Sequence, residues 1–320
     1  MKLISLLLVL SLTFAVSCTT NENEDKHFRI GIIQYTNTND MTRQGFVDGM
    51  SSYGYQDGSN TEYLYFGNAY SFEEINGILD RIIEMKPDLI YASTTPASLR
   101  AYQKTKNTGI PVVFGPVNDP VKAGIIKNIR APGENITGVR LAPSDPKRLE
   151  WIKLIKPDAK NILLPYTKND TSSNITVSLI SKVSKGMGLN IIKHPVESKE
   201  DIYEMIENMP ENIDAVFMPR DGLVMSAIKE FSKMCLEKKI ILSSPRHEQV
   251  IQGATTGYGF IGYELGKQAA RMADSILKGT PPGQVPVETA EDYLFINLDI
   301  VNSIDLKISD IILQQAYKAK

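Results

Sequence analysis

From Phe28 onward, short apolar runs alternate with longer stretches of helical periodicity, and this alternation restricts the chain to few architectures. Strands are predicted at Arg29–Gln34, Glu62–Phe66, Leu89–Ala92, Val112–Phe114, Asn161–Pro165, Asn190–Lys193, Ala215–Met218 and Ile240–Leu242. Helices are predicted between them at Thr42–Ser52, Phe72–Met85, Ala97–Lys106, Pro146–Ile155, Ile175–Met187, Lys199–Met209 and Leu223–Leu236. Strand and helix in strict alternation fold as parallel sheets with helices on both faces. The runs are apolar throughout rather than at every second residue, as suits strands covered on both sides. The fold class is therefore α/β, doubly wound.

An internal repeat suggests two lobes of this kind. Lys86–Phe114 and Asn212–Ser243 each hold an Asp, an apolar strand, a short loop, a helix and a second apolar strand. Asp88 matches Asp214, Leu89–Tyr91 matches Ala215–Phe217, and Pro111–Phe114 matches Ile240–Ser243. The match is one of pattern, and any doubly wound fold repeats such a unit. Residues 130–146, rich in Pro and Gly, are the expected crossover between the lobes.

Open α/β sheets bind ligands at the carboxyl ends of their strands, so the repeat singles out two loops. In Ser93-Thr94-Thr95-Pro96, Thr95 is the expected N-cap and Pro96 the first helical residue. Hydroxyls beside free helix N–H groups suit a carboxylate. The matching loop, Pro219–Gly222, offers Asp221, an acceptor suited to an ammonium. Together they fit a zwitterion, although helix capping alone accounts for both residues equally well. The loop after the first strand brings Gln34 and Tyr35 into consideration, and Asn118 lies in a further turn. In the second half, Tyr166, Ser173 and Asn174 follow a strand end, with Asn174 or a neighbour as a helix cap.

Other chemistries find little support. The net charge is -2 with both signs scattered, so there is no basic stripe for nucleic acid. No GxSxG, HExxH or GxGxxG occurs, and of the three histidines only His247 stands where a site residue would. The glycines of Gly257–Gly266 are spaced for hinge and helix packing rather than for a phosphate. Cys235 reads as a buried small hydrophobe. No metal or cofactor site is expected, and an enzyme is not.

Residues 1–17 carry an early Lys2 and an apolar run from Leu3 to Val16, which together make an export signal too short to span a membrane. Ala15-Val16-Ser17-Cys18 resembles a bacterial lipobox, with Ala15 where Leu is usual, and this implies a lipid on Cys18; a plain signal peptide is the alternative. Residues 18–27 read as a disordered polar tether.

Six short stretches in order carry a wider resemblance: Ile30–Gln34, Gln44–Met50, Ser93–Leu99, Ile110–Val121, Pro132–Val139 and Gly253–Gly279, with Phe295-Ile296-Asn297 as a late strand. On these the chain resembles the TrpX-like ABC-transporter substrate-binding proteins of the type I periplasmic-binding fold. The resemblance implies two doubly wound parallel-sheet lobes joined by a multi-strand hinge. Lobe one would comprise 28–140 plus 262–279, and lobe two 141–261 plus 280–320. It further implies an aromatic or other apolar amino acid as ligand, and an ABC permease with its ATPase as partners. The receptor would be exported and anchored by lipid, in the periplasm or on the outer face of the cytoplasmic membrane. Thr94 and Thr95 would face the ligand carboxylate and Asp221 its amine, with Gln34, Tyr35 and Asn118 lining the cleft and Tyr258 a further contact. Relatives often carry Thr-Asp-Asn where this chain has Arg220-Asp221-Gly222, which puts a positive charge near the cleft. The alternatives are a ligand sensor of the same fold signalling to a partner protein, a sugar or nucleoside receptor, a surface hydrolase and a structural lipoprotein.

Overall fold

A computed structural model describes residues 26–168 and 170–319. The export signal, Cys18 and most of the tether lie outside the described residues. The first part of the chain runs β1 (Phe28–Gln34), α1 (Asp40–Ser52), β2 (Thr61–Tyr65), α2 (Phe72–Glu84), β3 (Leu89–Ser93), α3 (Thr95–Thr105), β4 (Val112–Val117) and β5 (Ile136–Arg140). The second runs α4 (Asp145–Ile155), β6 (Asn161–Thr167), α5 (Thr171–Val183), β7 (Asn190–Val196), α6 (Lys199–Glu207), β8 (Ala215–Phe217), α7 (Gly222–Ser226), α8 (Ile228–Lys238), β9 (Ile241–Ser244), α9 (His247–Ile251) and β10 (Thr256–Phe260). The last runs α10 (Gly262–Leu277), β11 (Glu288–Thr289), β12 (Asp292–Asn297), α11 (Leu298–Ser303), α12 (Asp310–Gln315) and β13 (Ala316–Ala319).

These strands form two sheets, ordered β11-β5-β4-β3-β1-β2 and β13-β12-β10-β9-β8-β6-β7. All pairings are parallel except β10 with β12. Consecutive residues of a strand face opposite layers. Leu89 and Tyr91 accordingly enter one apolar cluster and Ile90 and Ala92 another, so each face of the first sheet has its own core. Val216 on one face and Ala215 and Phe217 on the other do the same for the second sheet.

The matched aspartates of the repeat perform matched tasks. Asp88 accepts the Arg29 N–H at the start of β1 (2.8 Å), and Asp214 accepts the Asn161 N–H at the start of β6 (2.9 Å). Each stands just ahead of its own strand and ties down an amide at the start of the neighbouring one.

The structure adds α9, α11, α12 and β13 to the expected elements and departs from the sequence expectation at other points. The helix expected over Leu223–Leu236 is broken at Ala227 into α7 and α8. Strands β5 and β10 lie in glycine-bearing segments read as crossover and hinge. A Cβ at Gly138 would overlap the Phe114 carbonyl and one at Gly257 would come within 2.9 Å of the Ser244 carbonyl, so close strand approach selects the residue that weakens the strand signal. The expected return to lobe two at 280 is also displaced. Glu288 and Thr289 pair with Val139 and Arg140, and Val287 packs in the first sheet's core, so the chain rejoins the second sheet only at β12. It passes between the sheets after β5, after β10 and after β11.

The second passage is secured by α10, which packs along α1 through small residues. A Cβ on Gly45 would overlap the Tyr263 carbonyl, and one on Gly266 would overlap the Thr42 carbonyl. The Tyr263 hydroxyl donates to Asp48 (2.9 Å) and the Tyr55 hydroxyl to Asp274 (3.2 Å), closing both ends of the contact. Because the neighbouring atoms at Gly266 are backbone, they cannot move aside as a side chain would. Gly266→Ala is expected to destabilise the protein by about 3 kcal/mol, the upper part of the overpacking range. Chemical denaturation of the variant against the parent checks it.

Candidate functional site

A cavity of about 270 Å³ opens between the two sheets at the carboxyl ends of their strands. Asn39 follows β1, Thr94, Thr95 and Pro96 follow β3, Pro116 lies near the end of β4 with Asn118 just after it, and Leu141 follows β5. The second sheet contributes Arg220 and Met225 after β8, Pro245 and Arg246 after β9, and Phe260 at the end of β10. Of the residues singled out from the sequence, Thr94, Thr95 and Asn118 are brought together here.

Thr94 is held in an unusual state. It is the N-cap of α3, one residue earlier than expected, with φ +89° and ψ 158°. A β-branched residue at positive φ is strained. Its carbonyl accepts from the Ser98 hydroxyl (2.6 Å) and the Ser98 N–H (3.0 Å), which fixes the turn. Its own hydroxyl does not cap the helix, and the Oγ1 atom is buried without a partner. Thr94, with this unused hydroxyl, thus lines the cavity beside an uncapped helix start, where backbone N–H groups and the helix dipole favour an anion. Thr94→Gly relieves the strain at the cost of that hydroxyl. It is expected to raise stability by about 1 kcal/mol, read as a higher Tm of the ligand-free protein.

Asp221 does not play the part expected of it. It is buried and absent from the residues lining the cavity. Its carboxylate accepts from the Thr167 N–H (2.7 Å) and hydroxyl (2.8 Å), the Ser173 hydroxyl, and the Leu223 (3.0 Å) and Val224 (3.1 Å) N–H groups. Five donors saturate a carboxylate, which has about four lone-pair sites, so none is left for an ammonium. Burial alone would raise its pKa, but the bonds from Ser173, Thr167 and Val224 outweigh it and hold the group below the usual carboxylate range. A depressed folded pKa contributes stability above the unfolded value, near 3.9, and loses it as pH falls through the folded value. Asp221→Asn is therefore expected to cost about 2 kcal/mol at pH 7. In denaturation curves taken at successively lower pH, the gap to the parent should narrow below about pH 4.

Ser173 is buried against Asp221, and Asn174 is exposed with its amide on the Lys168 carbonyl (3.0 Å). Gln34 is buried and donates to the Thr36 carbonyl (2.9 Å) and Asp40 (2.6 Å), shaping the loop that carries Asn39. Tyr35 stacks on Phe72, and Tyr258 packs near Trp151 with ring centroids 6.3 Å apart. Tyr166, half-buried at the end of β6, does not line the cavity. His247 sits against the rings of Phe295 and Tyr317, away from the cavity. Burial pushes the Cys235 thiol far up, as befits a core residue.

The residues missed are Asn39, the apolar wall and Arg246. Arg220 was visible only as a departure from a pattern. A signal for both arginines is present in the sequence: β8 is followed by Met218-Pro219-Arg220, and β9, ending at Ser244, by Pro245-Arg246. Beneath them the buried Arg148 donates to the carbonyl of Met218 (2.6 Å) and pairs with Asp145 (3.0 Å), over the face of Phe217. Burial lowers its pKa to about 10, with Asp145 opposing the shift. Arg148 thus braces the strand end that presents Arg220.

Comparison with known proteins bears on the family and the fold. The family model of ABC transporter substrate binding proteins matches residues 29–320. The chain belongs to that family. The receptor is 29% identical to a tyrosine-binding protein of Clostridioides difficile (strain R20291), over 96% of this chain and 93% of that one. A ligand-free, open substrate-binding protein with adhesive properties from Clostridium difficile superposes with TM-score 0.79 at 29% identity, covering 92% and 99% of the two chains. An L-Trp complex from Streptococcus pneumonia shares the fold, with TM-score 0.75 at 23% identity over 92% and 99%. Family membership makes the chain a solute-binding receptor and not an enzyme. Among the described residues no helix is long and apolar enough to cross a membrane.

Proposed function

We propose that the receptor captures an amino acid in the interlobe cavity, outside the cytoplasm, for an ABC permease and its ATPase, tethered by lipid on Cys18. The observation that carries the ligand class is the buried, unpartnered Thr94 hydroxyl at the uncapped start of α3, which suits an α-carboxylate. Pro96, Pro116, Leu141, Met225, Pro245 and Phe260 supply apolar wall, in keeping with the aromatic or apolar side chain expected from the sequence. The tyrosine named for the C. difficile relative supports the same class.

The ammonium finds its counterpart elsewhere than at Asp221. A second cavity of about 120 Å³ shares Asn39, Arg246 and Phe260 with the first and is lined by Asp40 and Glu248. A ligand lying across the shared wall would turn its carboxylate to α3 and its amine to these acids. Hinge closure would then bury it, and the permease would read the closed form.

Thermal-shift and calorimetric titration of the mature domain against amino acids, sugars and nucleosides tests this. An amino acid at a hundred times its Kd should stabilise the domain by about 2.7 kcal/mol. Thr94→Val, which keeps the shape and removes the hydroxyl, should weaken it by roughly tenfold or more. Shifts from sugars or nucleosides alone would overturn the ligand class and leave the family assignment intact.

A further inference from the structure

The larger cavity is cationic, and this asks more of the solute than one carboxylate. Arg220 and Arg246 both line it, from consecutive strands of the same lobe, and none of its described lining residues is acidic. Arg220 donates to the Ser144 hydroxyl (3.0 Å), which in turn donates to Asp292 (2.6 Å), so Asp292 acts on it across an intervening hydroxyl rather than in a direct ion pair. The Arg246 side chain has no hydrogen bond or ion pair among the described residues, and Glu248, two residues on, is exposed. Burial lowers the Arg246 pKa; Glu248 opposes this, and Arg220 adds to it. Two like charges held in one half-buried recess repel, and each costs more when water leaves on lobe closure. The facing wall, the start of α3, is also electropositive and cannot compensate them.

We infer that the solute carries a second anionic group, a carboxylate or a phosphate, seated between Arg220 and Arg246 while its α-carboxylate meets Thr94 and the start of α3. This rests on the amino-acid reading above and narrows it. Guanidinium forks bind either anion in bidentate fashion, and the apolar wall leaves room for a hydrophobic spacer between the two charged ends. A neutral side chain would leave Arg246 dry and unmatched in the closed state, and Arg220 with only Ser144 and the more distant Asp292. The Asp40 and Glu248 recess then serves the ammonium, so that the three ends of an acidic amino acid each have a partner of opposite sign.

Matched pairs differing only in that group provide the test. Calorimetric titration of the mature domain would compare glutamine with glutamate, phenylalanine with 4-carboxyphenylalanine, and tyrosine with O-phosphotyrosine, alongside dicarboxylates lacking an amine. In at least one pair the acidic member is expected to bind ten-fold or more tighter, with an affinity that falls as salt rises. Arg246→Gln and, independently, Arg220→Gln should each collapse that ratio, with the ligand-free Tm reporting that each variant is folded. The second and third pairs separate carboxylate from phosphate. If the neutral members bind equally or better, the inference falls while the amino-acid reading stands. If dicarboxylates bind and no amino acid does, the amino-acid reading falls and the anionic recess stands. Absence of binding by every compound would overturn both.

Discussion

The contact between α1 and α10 is the constraint on which the rest of the architecture depends. The two helices lie far apart in sequence, and α10 follows directly on a strand of the other lobe. Without glycine at positions 45 and 266 the backbones could not approach closely enough for α10 to dock on the first sheet. Docking it there obliges the chain to leave lobe two after β10 and return through β11 and β12, which together with the passage after β5 makes a three-connection hinge. A hinge of several connections permits lobes to close while limiting their twist and slide. The cavity lies beside these crossings, with Leu141 and Phe260 from two of them in its wall.

The site shows a division between residues whose bonding is complete and residues whose bonding is not. Asp221 receives five donors and knits β6, α5 and α7 together, a structural part that exhausts its capacity. Arg148 commits its two terminal nitrogens to Asp145 and to the carbonyls of Met218 and Ser243, while its buried Nε has no partner. Thr94 and Arg246, in contrast, line the cavity, the first with a buried unpartnered hydroxyl and the second with no side-chain bond among the described residues. Buried polar groups are normally satisfied, so an exception at a strained residue in a cleft points to what the cleft receives.

Much of this was legible beforehand, for identifiable reasons. Continuous apolar runs such as Leu89–Ala92 and Ala215–Met218 announce themselves because buried parallel strands tolerate no polar interruption. The loop at Thr94–Pro96 was legible because Thr and Pro at a helix start have definite physical uses. β5 and β10 were hidden because the close strand approach that requires glycine removes the side chains by which strands are recognised. Arg246 was hidden because its importance comes from neighbours on another strand, although the Pro-Arg pair after both β8 and β9 hinted at it. Asp221 was misplaced because a carboxylate beside a helix start looks the same in sequence whether it faces solute or its own lobe.

By itself the sequence determined that two β/α lobes would form, which strands would be buried on both faces and that the loop at Thr94–Pro96 would stand at the carboxyl end of a strand. Those properties are local: they follow from side-chain period, from capping chemistry and from the apolar content of short runs. Only the tertiary structure decided where the chain recrosses, that Thr94 rather than Thr95 caps α3 with its hydroxyl unused, that Asp221 is spent on its own lobe, and that Arg220 and Arg246 share one recess. Each of these is a matter of which groups from distant strands come within hydrogen-bonding or Coulombic range, and that distance is fixed by packing rather than by spacing along the chain.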